Sequence, residues 1–139
     1  MNGNKTEHRV RESFAQQQVM QMIGAHLGLV EPGVIEIELP FREDLTQQDG
    51  FIHAGIITTI LDSACGYAAY SLMPEGSSVL SVEFKVNLLA PAKADVIRVR
   101  AEVKRAGKTL TVCTADAFAG EKVCATMLAT MIRQNFQRP

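Results

Sequence analysis

Residues 51–73, FIHAGIITTILDSACGYAAYSLM, constrain the chain more than any other stretch, because they hold no strong helix breaker and are ended by Pro74 and Gly76. Ile56, Ile60, Ala64, Ala68 and Leu72 follow one another at i+4, and Ile57, Leu61, Cys65 and Ala69 form a parallel row. So wide an apolar face must be covered by the rest of the chain, which makes this helix a core element. Its opposite side carries Thr58, Thr59, Asp62, Gly66 and Tyr70, small or polar groups that face something other than an ordinary core.

The cover is strands. Ile35, Ile37 and Leu39 alternate with Glu36 and Glu38 until Pro40, the period-2 pattern of a half-buried strand. Three further strands are expected at 79–89, 95–105 and 109–119, and a fourth at 122–133, where Val123, Ala125, Met127, Ala129 and Met131 alternate with mixed neighbours. In the first of these, Leu80, Val82, Phe84, Val86 and Leu88 alternate with Ser81, Glu83, Lys85 and Asn87, which predicts one buried and one wet face. Residues 1–7 are polar and read as a flexible N-terminus, 8–27 as a helix, and 42–50 as a loop with an Asp49-Gly50 turn. The order implies an α+β chain, an antiparallel sheet curved around one long central helix with an N-terminal helix added. At 139 residues and 47% apolar, one domain spanning 1–139 can bury a core unaided.

With 14 Lys+Arg against 15 Asp+Glu, there is no electrostatic case for nucleic acid or an anionic membrane as partner. No apolar run approaches the roughly 18 residues of a membrane-spanning helix. The start MNGNKTEHRVRESF is too polar for a secretory signal, so the expectation is a cytoplasmic protein. Cys65, Cys113 and Cys124 are widely spaced in apolar stretches and read as reduced core thiols.

Asp62 is the anomaly, a carboxylate in mid-helix with apolar or small neighbours on every side. A bond to a nearby hydroxyl such as Thr58, or to a basic group elsewhere, would explain it structurally. However, Gly55, Thr58 and Gly66 at i−7, i−4 and i+4 leave room beside it for a ligand or a water. His53 cannot be its partner within the chain, since nine residues of helix put the two on opposite sides and on the order of 13 Å apart along the axis. His53 belongs at the helix start, as a cap or packing residue, beside Ala54 and Gly55. The unpaired backbone N–H groups there and the positive end of the helix dipole favour a developing negative charge. If that terminus polarises a substrate and Asp62 is the base, the two must come from different copies of the chain, a homo-oligomer with composite sites.

The pattern Gln47-x5-His53-Ala54-Gly55-x6-Asp62, followed by SVEFKVNLLAPA and KRAGKTLTVCTADAF, resembles the hotdog-fold acyl-CoA thioesterases of the phenylacetate-degradation, PaaI-like branch. The resemblance covers nearly the whole chain. It implies a hotdog fold and hydrolysis of an acyl or aryl thioester to free acid and CoA. It also implies a dimer or a homotetramer built as a dimer of dimers, with no metal or redox cofactor, since a thioester is already activated. By position Asp62 matches the catalytic carboxylate, general base or nucleophile. The Ala54 or Gly55 N–H matches the group that polarises the carbonyl from the neighbouring subunit, Gln47 a polar orienting residue, and Ser81 a hydroxyl that holds the water. The family usually has Gly at Ala54 and Asn at Gln47. The basic hairpin residues Lys104, Arg105 and Lys108 could meet the CoA phosphates or be a solvated turn. Two rival functions are a hotdog hydratase or dehydratase, which needs His and acid in one pocket, and a non-catalytic acyl-CoA-binding module.

Overall fold

The computed structural model describes residues 2–136. Its elements run α1 (Asn2–Ala15), α2 (Gln18–Ile23), β1 (His26–Glu31), β2 (Val34–Pro40), a single 3-10 turn (Glu43–Leu45), α3 (Ala54–Tyr70), β3 (Ser78–Leu88), β4 (Val96–Ala106), β5 (Leu110–Ala119) and β6 (Lys122–Gln134). The six strands form one antiparallel sheet in the order β1-β2-β4-β5-β6-β3, wrapped around α3.

Helix and sheet meet closely because the inner side chains of the central strands are small. Ala101, Cys113, Ala115, Ala117 and Ala129 are all buried, and Ile57, Ile60, Leu61, Ala64 and Ala68 of α3 fill the space above them. The β4–β5 hairpin is equally tight. A Cβ on Gly107 would lie 2.5 Å from the Leu110 carbonyl oxygen, which already accepts the Gly107 N–H at 2.8 Å, so only glycine fits.

The expected helix at 8–27 is corrected in three ways. The helical segment begins at Asn2, it breaks after Ala15, and its second part stops at Ile23, where Gly24 adopts φ +78° and closes the C-cap on Met20 and Gln21 carbonyls. Leu27 therefore belongs to β1, which pairs with β2 across the Pro32-Gly33 turn. The C-terminus of α3 is tied to α1 by Arg9. Its guanidinium donates to the Met73 carbonyl at 3.0 Å and to those of Tyr70 and Pro74 at 3.4 Å, and lies 4.7 Å from the Tyr70 ring centroid. Arg9→Ala should lower unfolding stability by about 1–3 kcal/mol in urea denaturation, since it frees several carbonyls and a cation–π contact together.

The two sheet edges differ. β1 is short and irregular between Leu27 and Val30, whereas β3 runs for 11 residues and presents Val82, Phe84 and Leu88 at 52, 42 and 55% exposure. The expectation of one buried and one wet face for this strand therefore fails. β3 is an edge strand, and its inward side reaches past α3. A bulge at Val82 also reverses the alternation: Ser81 opposes Met131 while Glu83 opposes Thr130. Ser81, Phe84, Val86 and Leu88 thus share the inner face, and Leu80 is moved to the outer one.

Candidate active site

Asp62 sits half-buried on the side of α3 turned toward the start of β3. The bulge at Val82 aims Ser81 at it, and the Ser81 hydroxyl donates to Asp62 Oδ1 at 2.5 Å while lying 3.4 Å from Met131 Sδ. The hydroxyl that meets Asp62 is thus that of Ser81 and not the alternative Thr58, whose hydroxyl donates back to the Ala54 carbonyl at 2.8 Å. No basic group pairs with Asp62 among the described residues. Beside it a Cβ on Gly66 would meet only open space. The carboxylate therefore borders a cavity of about 370 Å³, walled also by Ser13 and Gln17 of the N-terminal helical segment.

The N-terminus of α3 is built separately. His53 is its N-cap, and its Nδ1 accepts the Gly55 N–H at 2.8 Å. A Cβ at Gly55 would lie 3.1 Å from that ring, so a side chain there would push the capping imidazole aside by a few tenths of an ångström. Of the two amides proposed as donors, Gly55 is thus engaged, and Ala54 is left without a partner among the described residues. Ala54 opens on a second cavity of about 400 Å³, lined by Gln47, Phe51, Leu88 and Leu89. The Gln47 Oε1 accepts the Asp49 and Phe51 amides, which folds the 47–51 turn and leaves the side-chain NH2 available.

Within one chain the two halves do not meet. Ala54 and Asp62 are eight residues, or about 12 Å of helix, apart. Lys104, Arg105 and Lys108 are exposed at the β4–β5 turn, and Lys108 lines a third cavity with Leu72, Met73 and Arg133 instead of either half-site. A basic group passed over by the sequence reading stands nearer: Lys93, in the LLAPAKA turn, has its Nζ 6.0 Å from the ring centroid of Phe51 beside the Ala54 cavity. Ser13, Gln17 and Ser77 were also missed, since nothing in their spacing links them to Asp62.

The three thiols are buried and unbridged. Burial is the main cause that pushes all three upward, Cys113 up to about 12, with Cys65 raised further by the nearby Cys113 and Asp62. In the native protein none should react with a thiol reagent at pH 8 within minutes, and all three should react on denaturation. Among the described residues no group of three His, Cys, Asp or Glu side chains could hold a metal ion, and no helix is long and apolar enough to cross a membrane.

The family model for the thioesterase superfamily matches residues 49–126, the span that holds the cap, Asp62 and Ser81. A thioesterase family protein of Silicibacter pomeroyi has a solved structure 50% identical, with TM-score 0.92 over 94% of this chain and 99% of that one. The PaaI protein of the E. coli phenylacetic acid degradation operon shares the fold, with TM-score 0.89 over 96% of each chain at 16% identity. The 1,4-dihydroxy-2-naphthoyl-CoA hydrolase of Listeria monocytogenes is 26% identical over 68% of this chain and 76% of its own length. With the family model matched over more than half of its length, the chain that carries this carboxylate, its serine and the capped helix terminus belongs to the thioesterase superfamily and is a thioester hydrolase of the hotdog fold.

Proposed function

We propose that the chain cleaves acyl-CoA thioesters at a site formed by two copies, with Asp62 and Ser81 of one facing the Ala54 end of α3 of the other. The observation that carries this reading is the placement of both half-sites along the edge strand β3, which pairs with β6 on one side only. Ser81 stands near its beginning, and Leu88, which lines the Ala54 cavity, stands at its end. If two β3 strands pair antiparallel about a two-fold axis, the Ser81 end of each lies against the Leu88 end of its partner, and the half-sites come together twice. The same pairing covers the exposed Val82, Phe84 and Leu88 and closes the long open edge.

In such a site the thioester carbonyl oxygen accepts the Ala54 N–H, at the positive end of α3, where the negative charge of the tetrahedral intermediate is stabilised. The Gln47 amide supplies a second polar contact beside it. Asp62, held through Oδ1 by Ser81, presents Oδ2 either to a water, whose proton it takes as the oxygen attacks the carbonyl carbon, or directly to that carbon to form an anhydride that water then opens. In both routes the C–S bond breaks, the thiolate is protonated, and the acid is released. Lys93 is placed to meet an anionic part of the CoA carrier. The name of the Listeria relative, a CoA-thioester hydrolase, supports the carrier.

The test is thiol release, followed with a thiol reagent, across short, medium, long and aromatic acyl-CoAs. Stoichiometric free CoA from at least one of them is expected. A change in enoyl absorbance with no thiol released would instead support the hydratase reading, and tight binding without turnover would support a non-catalytic module.

A further inference from the structure

Ala54 brings two groups to the mouth of its cavity, and the reading above uses one of them. The N–H has no partner among the described residues and is the donor proposed for the carbonyl. The methyl takes no part in the hydrophobic core: Ala54 is half-buried, lines the cavity of about 400 Å³, and is not among the residues packed on the core. Both groups point the same way. In an α-helix each Cα–Cβ bond tilts toward the N-terminus, the direction in which the N–H groups also point, and Ala54 is the first residue of α3. At a helical φ of about −60° the N–H and Cα–Cβ bonds lie nearly eclipsed, so an oxygen that accepts the N–H at about 2.9 Å rests about 3.6 Å from the Cβ. That is van der Waals contact. The methyl has no rotamer by which to leave it, and its backbone is fixed on both sides, by the His53 cap on Gly55 and by the Thr58 hydroxyl on the Ala54 carbonyl.

On one side of a thioester carbonyl stands the sulfur, whose S–CH2 bond lies cis to the C=O and already crowds the oxygen. A donor accompanied by a methyl therefore fits from the other side, against the acyl α-carbon. Three directions are open around that carbon: toward the Ala54 methyl, toward the face that Asp62 or its water attacks, and away from both. An unbranched acyl group turns its two hydrogens to the first two and runs its chain along the third. A branch must put a carbon into one of the first two. We propose that the Ala54 methyl makes the site select acyl thioesters whose α-carbon is unbranched. The inference rests on the thioesterase reading above, with Ala54 as the donor, and adds to it the class of acyl group. A glycine, usual here in the family, would give the same N–H without the methyl.

The experiment takes the acyl chain turned over fastest in the thiol-release screen and compares three CoA thioesters of it: unbranched, with a methyl on the α-carbon, and with the same methyl on the β-carbon. They are assayed with the wild type, Ala54→Gly and Ala54→Val, all of which keep the amide at position 54. The quantity read is kcat/KM of the α-methyl substrate relative to the unbranched one, and its change between proteins cancels the lower intrinsic reactivity of a branched thioester. Ala54→Gly should raise this ratio by about tenfold or more, the scale set by room for one extra carbon, and Ala54→Val should lower it. The β-methyl ratio should change by less than about twofold in Ala54→Gly, because that branch lies beyond the reach of position 54. An α-methyl ratio unchanged in Ala54→Gly, or raised no more than the β-methyl ratio, overturns the inference and leaves the thioesterase reading standing. So does a wild type whose fastest substrate is itself α-branched or aroyl. No thiol release from any CoA thioester overturns the reading beneath it as well.

Discussion

Asp62→Ala should lower kcat for thioester hydrolysis by about a thousandfold, the scale expected for loss of a positioned base or nucleophile. The protein should fold regardless, because Asp62 is half-buried at a cavity and its one side-chain hydrogen bond among the described residues is to Ser81. Circular dichroism and size-exclusion elution should therefore match the wild type. Asp62→Asn is the sharper variant. Its side chain still accepts the Ser81 hydroxyl and keeps the shape of the site, yet it can neither take the proton of water nor attack as a carboxylate. Its loss should be large, though smaller than that of alanine. Near-normal turnover by a folded Asp62→Ala protein would remove Asp62 from the mechanism.

The second expectation separates a site shared between copies from one within a chain. Ala54→Pro deletes the proposed oxyanion donor, with an expected loss of about 10²–10³-fold in kcat. It should not disturb the fold. Position 54 is the first of the helix, where proline is welcome, and His53 before it has φ −58° and ψ 138°, the conformation a following proline prefers. Co-expression of Asp62→Ala with Ala54→Pro should then restore activity. In a mixed dimer one site holds both defects, and the other joins the intact Asp62 of one copy to the intact Ala54 amide of its partner. Random one-to-one pairing should give about a quarter of the wild-type rate from a two-fold dimer. If the mixture is no more active than its parents, the two groups do not act across copies.

Much of this was legible along the chain. The i+4 rows of residues 51–73 announced the core helix, and the alternations at 34–40 and 95–105 announced strands, because burial on one face imposes its period directly on the sequence. Asp62 stood out for the same reason: a carboxylate on such a helix needs a partner or a cavity. Other features left local signals that point two ways. Gly24 and Pro32-Gly33 mark the helix end and the turn that make 26–31 a strand, but the apolar residues of 8–27 are too sparse to exclude a longer helix. His53 read equally well as a cap or as chemistry, and its capping bond to Gly55 exists only once the helix start is formed.

Local pattern thus determined the central helix, the strands β2, β4, β5 and β6 and the one misplaced charge, since each depends on residues a few positions apart. Tertiary structure alone decided that β3, adjacent to α3 in the chain, pairs with β6 at the far edge, and that a single extra residue at Val82 turns Ser81 inward onto Asp62. It alone brought Ser13 and Gln17 to the wall of the same cavity. Strand order and a one-residue slip are settled by competition among non-local pairings, whose free energies no short window of sequence contains.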